Sequence, residues 1–403
     1  MALRILFVDD EPHVLQGLQR MLRTMRSEWQ MDFASSGQEA LKLLRQQPYD
    51  VIVSDMRMPG MDGADLLKEV MRRYPKMVRF ILSGHSDREM ILKSVGPTHQ
   101  FLTKPCSAES LKAALHRAVA LREFLANEAL LSRVSRMKSL PSLPTLYSRI
   151  LKELQQPGAS IKRIGDIIAR DVGMTAKILQ LVNSAFFGLP RHISSPSQAV
   201  SLLGLDTVRA LVLSIQVFAG FEKTGVDNFS IESLWRHSVN VSQCANYIAR
   251  AVNLEQKSID DALMAGLLHD VGKLVLAVNS PGEYNSALAL AKSKQMELWR
   301  AEKEVFGASH AEVGAYLMGL WGLPDSIVEA LAFHHRPSEC PYASFTSLTA
   351  VHIANVFDHD KDTKEKGIPE SQADLEYLQK TGQADQLPMW REGCLSPQNY
   401  GEE

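Results

Sequence analysis

The chain has 403 residues, of which 45% are hydrophobic and 22% charged, and its formal net charge is -2. This composition is ordinary for globular protein and leaves room for two or three domains with full-sized cores. The near-neutral balance argues against nucleic acid or an anionic membrane as partner. The four cysteines, Cys106, Cys244, Cys340 and Cys394, are scattered without paired spacing, which points to a reducing cytoplasm rather than a disulfide framework.

The chain enters an apolar run within its first residues, so no leader peptide is expected. From residue 3 to about 120, short apolar runs alternate with helical periodicity. Strands are expected at 4–8, 30–34, 51–54, 78–82 and 100–103, and helices near 12–26, 37–47, 62–73, 87–95 and 107–120. Such alternation makes an α/β doubly wound parallel sheet of five strands.

The residues that end these strands carry chemistry. Asp9 and Asp10 follow the first run, Asp55 ends the third, Ser83 the fourth, and Lys104-Pro105 follows the fifth. Groups at the carboxyl ends of parallel strands share one crevice. There Asp55 can act as a phosphoryl-accepting nucleophile, with Lys104 neutralising the incoming charge. Asp10 and Asp55, with the backbone carbonyl of Arg57 and with Asp9 acting through water, make a set suited to Mg2+. Ser83 can donate its hydroxyl to a bound phosphoryl oxygen, and Phe101 can turn inward behind it as the second switch residue. The Lys104-Pro105 bond is a candidate cis peptide.

This segment resembles a response-regulator receiver domain, a flavodoxin-like fold. The resemblance implies phosphorylation by a sensor histidine kinase or a phosphotransfer protein. Gly84, after the switch hydroxyl, fits the family pattern; His99 and Gln100 vary from it.

Helical character then continues from 107 to about 137 without Gly or Pro. Ala114, Ala118, Leu121, Leu125 and Ala129 form a stripe that serves either as a homodimer seam or as a plain linker. The run Leu140-Pro141-Ser142-Leu143-Pro144 breaks the helix. Everything from there to Phe357 reads as helix, with Ser160 and Ser258 as N-caps and Asp260-Asp261 in a first turn. The apolar stretch 199–219 contains Asp206 and Arg209, so it reads as a buried helix pair and not a membrane span. A charged loop is expected at 358–366, then a short helix near 372–380 and a frayed tail. The domains are thus a receiver at 1–122, a helical linker at 123–139, an all-α domain at 140–357 and an extension at 358–403.

In the helical half, Asp171-Val172-Gly173-Met174, Leu181-Val182-Asn183-Ser184-Ala185 and Leu203-Gly204-Leu205 resemble the HDOD domain, a relative of the metal-dependent HD phosphohydrolases. Family members commonly lack demonstrated hydrolase chemistry. His237, His269-Asp270, His310 and His334-His335 fall at HD-type positions in HD-type order. Neutral imidazoles beside a carboxylate are good ligands for a divalent transition metal, and Lys273 is placed to bind a substrate phosphate. One departure is Asn355, where active HD enzymes supply a last aspartate; Asp358 lies near the same helix face. The Gly-Tyr-Pro signature of cyclic-di-GMP phosphodiesterases is absent after His335, which disfavours that activity. Trp235, Trp299 and Trp321 read as core.

The expected protein is a cytoplasmic, phosphorelay-driven regulator whose helical half is a regulatory binding module for a protein or nucleotide partner. A receiver-gated, metal-dependent phosphohydrolase is the alternative. No basic recognition helix is present, so DNA binding is not expected.

Overall fold

The structure is a computed structural model of the whole chain. It describes residues 3–84, 97–120, 128–135, 149–150, 152–153, 159–183, 193–205, 208, 226, 229–341, 344–362 and 372–395. The expected helix at 87–95, the break at 140–144, Leu121 and Leu125 of the linker stripe, and most of 199–219 lie outside these residues.

Five strands form one parallel sheet in the order β2-β1-β3-β4-β5: β1 Leu3–Val8, β2 Trp29–Ala34, β3 Val51–Asp55, β4 Val78–Ser83 and β5 Gln100–Thr103. β3 and β4 are buried along their whole length, as expected for parallel strands covered on both faces. The flanking helices are α1 Pro12–Met21, α2 Gly37–Gln46, α3 Gly63–Arg73 and α4 Ala108–Ala120. Ser36 and Asp62 accept hydrogen bonds from the first turns of α2 and α3, which satisfies donors that a helix start leaves open. Beyond α4 comes α5, Glu128–Val134, whose Leu130 and Val134 are buried within the chain.

Among the described residues the second half is built from helices, with the HD-type residues on or beside the later ones. In order these are α6 Ile161–Ile168, α7 Val172–Val182, α8 Pro196–Leu203, α9 Ile231–Ala251, α10 Gln256–Leu268, α11 Val271–Asn279, α12 Pro281–Lys294, α13 Leu298–Phe306, α14 His310–Leu320, α15 Asp325–Phe333, α16 Ser347–Asp362, α17 Leu375–Lys380 and α18 Leu387–Leu395. Helix α9 packs on α10 and α16, and α14 packs on α11 and α15. Among the described residues no helix is long and apolar enough to cross a membrane.

Several expectations change. The loop expected from 358 begins as helix, which runs to Asp362, so Asp358 lies on α16. Ser160 caps α6 as expected, but Ser258 lies inside α10, whose N-cap is Glu255. Asp261 is buried and accepts from the Ser326 hydroxyl at 2.6 Å. The tail carries α18, with Trp390 fully buried, and Cys394 on α18 is disulfide-bonded to Cys244 on α9. That pair is separated by 150 residues, so local spacing could not reveal it.

Candidate functional site: a phosphoacceptor crevice and a histidine–aspartate centre

At the mouth of the sheet, Lys104 places its ammonium between Asp9 and Asp55, 2.6 Å from Asp9 Oδ2 and in direct contact with Asp55 Oδ1. Register explains the meeting. β1 and β4 both pair with β3, and β5 pairs with β4, so the residues ending these strands share one edge. The backbone N–H of Arg57 donates to Asp55 Oδ2 at 2.9 Å, and that of Glu11 donates to Asp9 Oδ1 at 3.0 Å. Burial raises the Asp55 carboxyl above its ordinary pKa; Lys104 opposes this and Asp9 adds to it. Burial alone would lower the Lys104 ammonium, but Asp55 and Asp9 outweigh it and hold its pKa high.

Ser83 Oγ is buried with no hydrogen-bond partner, a donor free for an added oxygen. Phe101 is 1% exposed, turned inward. The Lys104-Pro105 peptide is cis. The Asp10 carboxylate makes no ion pair or hydrogen bond among the described residues. Three carboxylates and the Arg57 backbone around an open mouth fit a hard cation such as Mg2+.

Gly63, at the start of α3, shows how closely the crevice is built. A Cβ there would lie 2.1 Å from the Asp55 carbonyl oxygen. Gly63→Ala is expected to lower stability by about 1–3 kcal/mol, as overpacking does, and to displace Asp55. A reduced urea-denaturation midpoint checks the first effect, and slower phosphorylation by acetyl phosphate checks the second.

In the helical half, five imidazoles converge on one carboxylate. Asp270 follows α10, His269 sits at the α10 C-cap, His237 comes from α9, His310 begins α14, and His334-His335 follow α15. Two groups form, one of His237, His269 and Asp270, the other of Asp270, His310, His334 and His335. Within each, the ligand atoms lie within 4.8 Å of one another. Asp270 therefore belongs to both.

The orientation of the rings is systematic. Nδ1 of His269 faces the Gly266 carbonyl at 2.7 Å and Nδ1 of His334 the Leu331 carbonyl at 2.8 Å. Nδ1 of His237 faces Asp358 Oδ2 at 2.7 Å, and Nδ1 of His310 faces Glu302 Oε2 at 2.6 Å. Each outward acceptor calls for an Nδ1–H donor, which leaves Nε2 with its lone pair turned inward. Nε2 of His310 lies 3.2 Å from Asp270 Oδ1, and those of His269 and His237 lie 3.4 and 3.5 Å from Oδ2. The Nε2 atoms of His310 and His335 are 2.9 Å apart. His334 Nε2 and Asn355 Oδ1 are buried with no hydrogen-bond partner.

Protonation follows from these surroundings. Burial and neighbouring histidines hold His334 and His335 well below the ordinary imidazole pKa, and burial lowers His269 despite Asp270. Burial would raise Asp270, but His269 and Lys273 hold it well below the usual carboxylate range. Burial would lower His310, but Glu302 and Asp270 together outweigh it and the net shift is upward. Neutral imidazoles at His269, His334 and His335 around an ionised carboxylate, with acceptors fixing the tautomers of His269 and His334, make a donor set that fits a divalent metal. The orphaned, inward-facing nitrogen of His334 is the observation that shows the fit.

Lys273, Trp299 and Asp358 take other places than expected. Lys273 donates to Asp270 Oδ2 at 2.6 Å rather than standing free for phosphate. Trp299 is half-buried, not core. It stacks on His335 and has Arg300, Lys303 and Arg336 near its ring. Asp358 does reach the site, but as the outward partner of His237, with Asn240 on its other oxygen at 3.1 Å.

Sequence reasoning missed Glu302. It is fully buried and also accepts from the His310 backbone N–H at 2.7 Å. A signal existed: Leu298, Ala301, Glu302, Val305 and Phe306 share one helical phase, so the carboxyl group lies on an apolar stripe. Glu302→Ala is expected to weaken Zn2+ binding about 10–100-fold, with partial recovery in Glu302→Gln; titration against a chromogenic chelator measures both.

The comparisons with known proteins agree with this geometry. The family model "Response regulator receiver domain" matches residues 5–116, and the model "HDOD domain" matches residues 140–337. The chain joins a receiver domain to an HDOD domain. An uncharacterised protein of Treponema pallidum (strain Nichols) is 26% identical over 242 residues, 60% of this chain and 46% of that one. The hydrogenase transcriptional regulatory protein HoxA of Cupriavidus necator is 38% identical over 117 residues, 28% of this chain and 24% of that one. The chain thus spans less than half the length of these curated relatives. Among solved structures, the MmoQ response regulator of Methylococcus capsulatus str. Bath shares the fold. Its TM-score is 0.50 at 24% identity, covering 63% of this chain and 98% of that one. The receiver supplies the crevice of Asp9, Asp55 and Lys104, and the HDOD domain, continued by α16, supplies the histidine–aspartate centre.

Proposed function

We propose that this protein is a phosphorylation-driven response regulator. A sensor histidine kinase or a phosphotransfer protein donates a phosphoryl group to Asp55, and the HDOD domain is the output. The observation that carries this reading is the Lys104 ammonium held between Asp9 and Asp55, beside the unpartnered Ser83 hydroxyl. An Asp55 oxygen attacks the phosphorus of a phosphohistidine. The O–P bond of a mixed anhydride forms, the N–P bond breaks, and the histidine, already protonated on its other ring nitrogen, leaves as neutral imidazole. Lys104 turns toward the new phosphoryl oxygens and the Ser83 hydroxyl donates to one of them. Bound at Asp10, Asp55 and the Arg57 carbonyl, Mg2+ would supply charge neutralisation.

The output is best read as a regulatory binding module built around the histidine–aspartate centre, where His237, His269, Asp270, His310, His334 and His335 would hold divalent metal. Metal there would supply Lewis acidity toward a phosphoryl oxygen. Burial keeps the imidazoles of His269, His334 and His335 neutral and excludes bulk water, and the acceptors at Nδ1 fix the tautomers. A second reading, hydrolysis of a phosphoester, is favoured by Asp270 lying between two histidine groups. A phosphodiesterase and phosphatase screen of wild type against His269→Ala decides between them. Turnover lost in the variant supports hydrolysis. Inactivity of both, with metal bound, supports the binding module.

A further inference from the structure

We propose that the receiver and the histidine–aspartate centre are coupled through α11, α14 and α15, so that a phosphoryl group at Asp55 changes the centre's affinity for divalent metal, and the reverse. This rests on the reading of the cluster as a metal centre.

Each of these helices has one end at the centre and reaches the receiver or its linker. Helix α14 begins with His310; further along, the Tyr316 hydroxyl meets Ser135 Oγ at 2.9 Å and the Gly319 carbonyl accepts from Gln100 Nε2 at 3.4 Å. Helix α15 ends at His334-His335; at its start Asp325 pairs with Arg117 of α4 at 3.1 Å. Helix α11 follows directly on Asp270 and packs against α5. Six to ten helical residues separate the two sets of contacts, about 9–15 Å at 1.5 Å per residue.

The receiver side of this seam is polar and buried. Arg79, in β4, is fully buried. Its guanidinium donates to the carbonyls of Pro97 at 2.6 Å, Met77 at 2.9 Å and Ser135 at 2.6 Å, and lies 2.7 Å from His99 Nε2. The His99 carbonyl in turn accepts from Gln180 of α7 at 3.1 Å. Arg79 shares β4 with Ser83, and His99 immediately precedes β5, which carries Phe101 and leads to Lys104. The strands that would respond to phosphoryl at Asp55 therefore belong to the network that holds the linker residue Ser135 and the HDOD helices α7 and α14.

A buried polar network is costly when only partly satisfied, and packed interfaces shift between discrete arrangements rather than deforming smoothly. A change in β4 and β5 thus shifts α14 and α15 as units, and the ligands at their far ends with them. Linkage then requires equal coupling in both directions.

The test titrates full-length protein with Zn2+ in saturating Mg2+, with and without beryllofluoride as the phosphoryl mimic. The expected result is a change in Zn2+ affinity of at least about 5-fold on adding beryllofluoride, and an equal change in beryllofluoride affinity on adding Zn2+. Tyr316→Phe should shrink this ratio toward unity while Zn2+ still binds. Arg117→Gln, at a partly exposed pair, serves the same purpose if Tyr316→Phe disturbs folding. Zn2+ binding that is the same in both states overturns the coupling and leaves the metal reading intact. Failure of Zn2+ to bind in either state overturns both. An undiminished ratio in both variants overturns the route through α14 and α15.

Discussion

Asp270→Asn is expected to empty both halves of the histidine cluster at once. The carboxylate is shared by the two ligand groups, and its replacement leaves five imidazoles with no anionic partner between them. Supporting residues alone are worth about 10–100-fold in metal affinity, so loss of the shared ligand should exceed about 100-fold. A thermal-shift titration reads the effect. Metal at about 100 times its dissociation constant stabilises the protein that binds it by about 2.7 kcal/mol. Wild type should show that rise in melting temperature with Zn2+ or Mn2+. Asp270→Asn should show none attributable to the centre, even with the receiver crevice intact.

Asp55→Asn is expected to abolish phosphorylation by acetyl phosphate, because an amide oxygen cannot form the mixed anhydride. Lys104→Ala should slow labelling by about 100-fold or more, the scale of removing one positioned donor from a developing negative charge. Intact-mass measurement before and after incubation distinguishes them. Wild type gains one phosphoryl group, Lys104→Ala gains it slowly, and Asp55→Asn stays unmodified. Labelling that survives in Asp55→Asn would place the acceptor elsewhere and remove the basis for reading the HDOD half as its output.

The receiver was largely legible because its chemistry sits where apolar runs stop. Each strand is a short buried run, and Asp9, Asp55, Ser83 and Lys104 mark the strand ends. Parallel pairing alone brings such ends together, so order along the chain was enough to place them. The histidines of the second half were legible by order as well. Their common orientation was not, because it depends on which acceptor each Nδ1 finds: Gly266 and Leu331 carbonyls within three residues, but Glu302 and Asp358 from other helices. Glu302 lies among Lys303 and Glu304 and reads as a solvated charge until its helical phase is checked. Asp358 reads as loop because the charged residues after it resemble one; the helix runs one turn further. The Cys244–Cys394 bridge and the seam from Arg79 to Tyr316 are long-range pairings with no local period, which no single-sequence pattern carries.

The most direct test of the central claim, that the HDOD domain is built around a metal centre, is anomalous scattering. Crystals of the full-length protein grown with Mn2+ or Zn2+ would be measured at the metal's absorption edge. Peaks are expected flanking Asp270, within bonding distance of Nε2 of His237 and His269 on one side and of His310, His334 and His335 on the other. Clear density for the histidine rings with no anomalous peak among them, at metal concentrations that fill the receiver crevice, would contradict it.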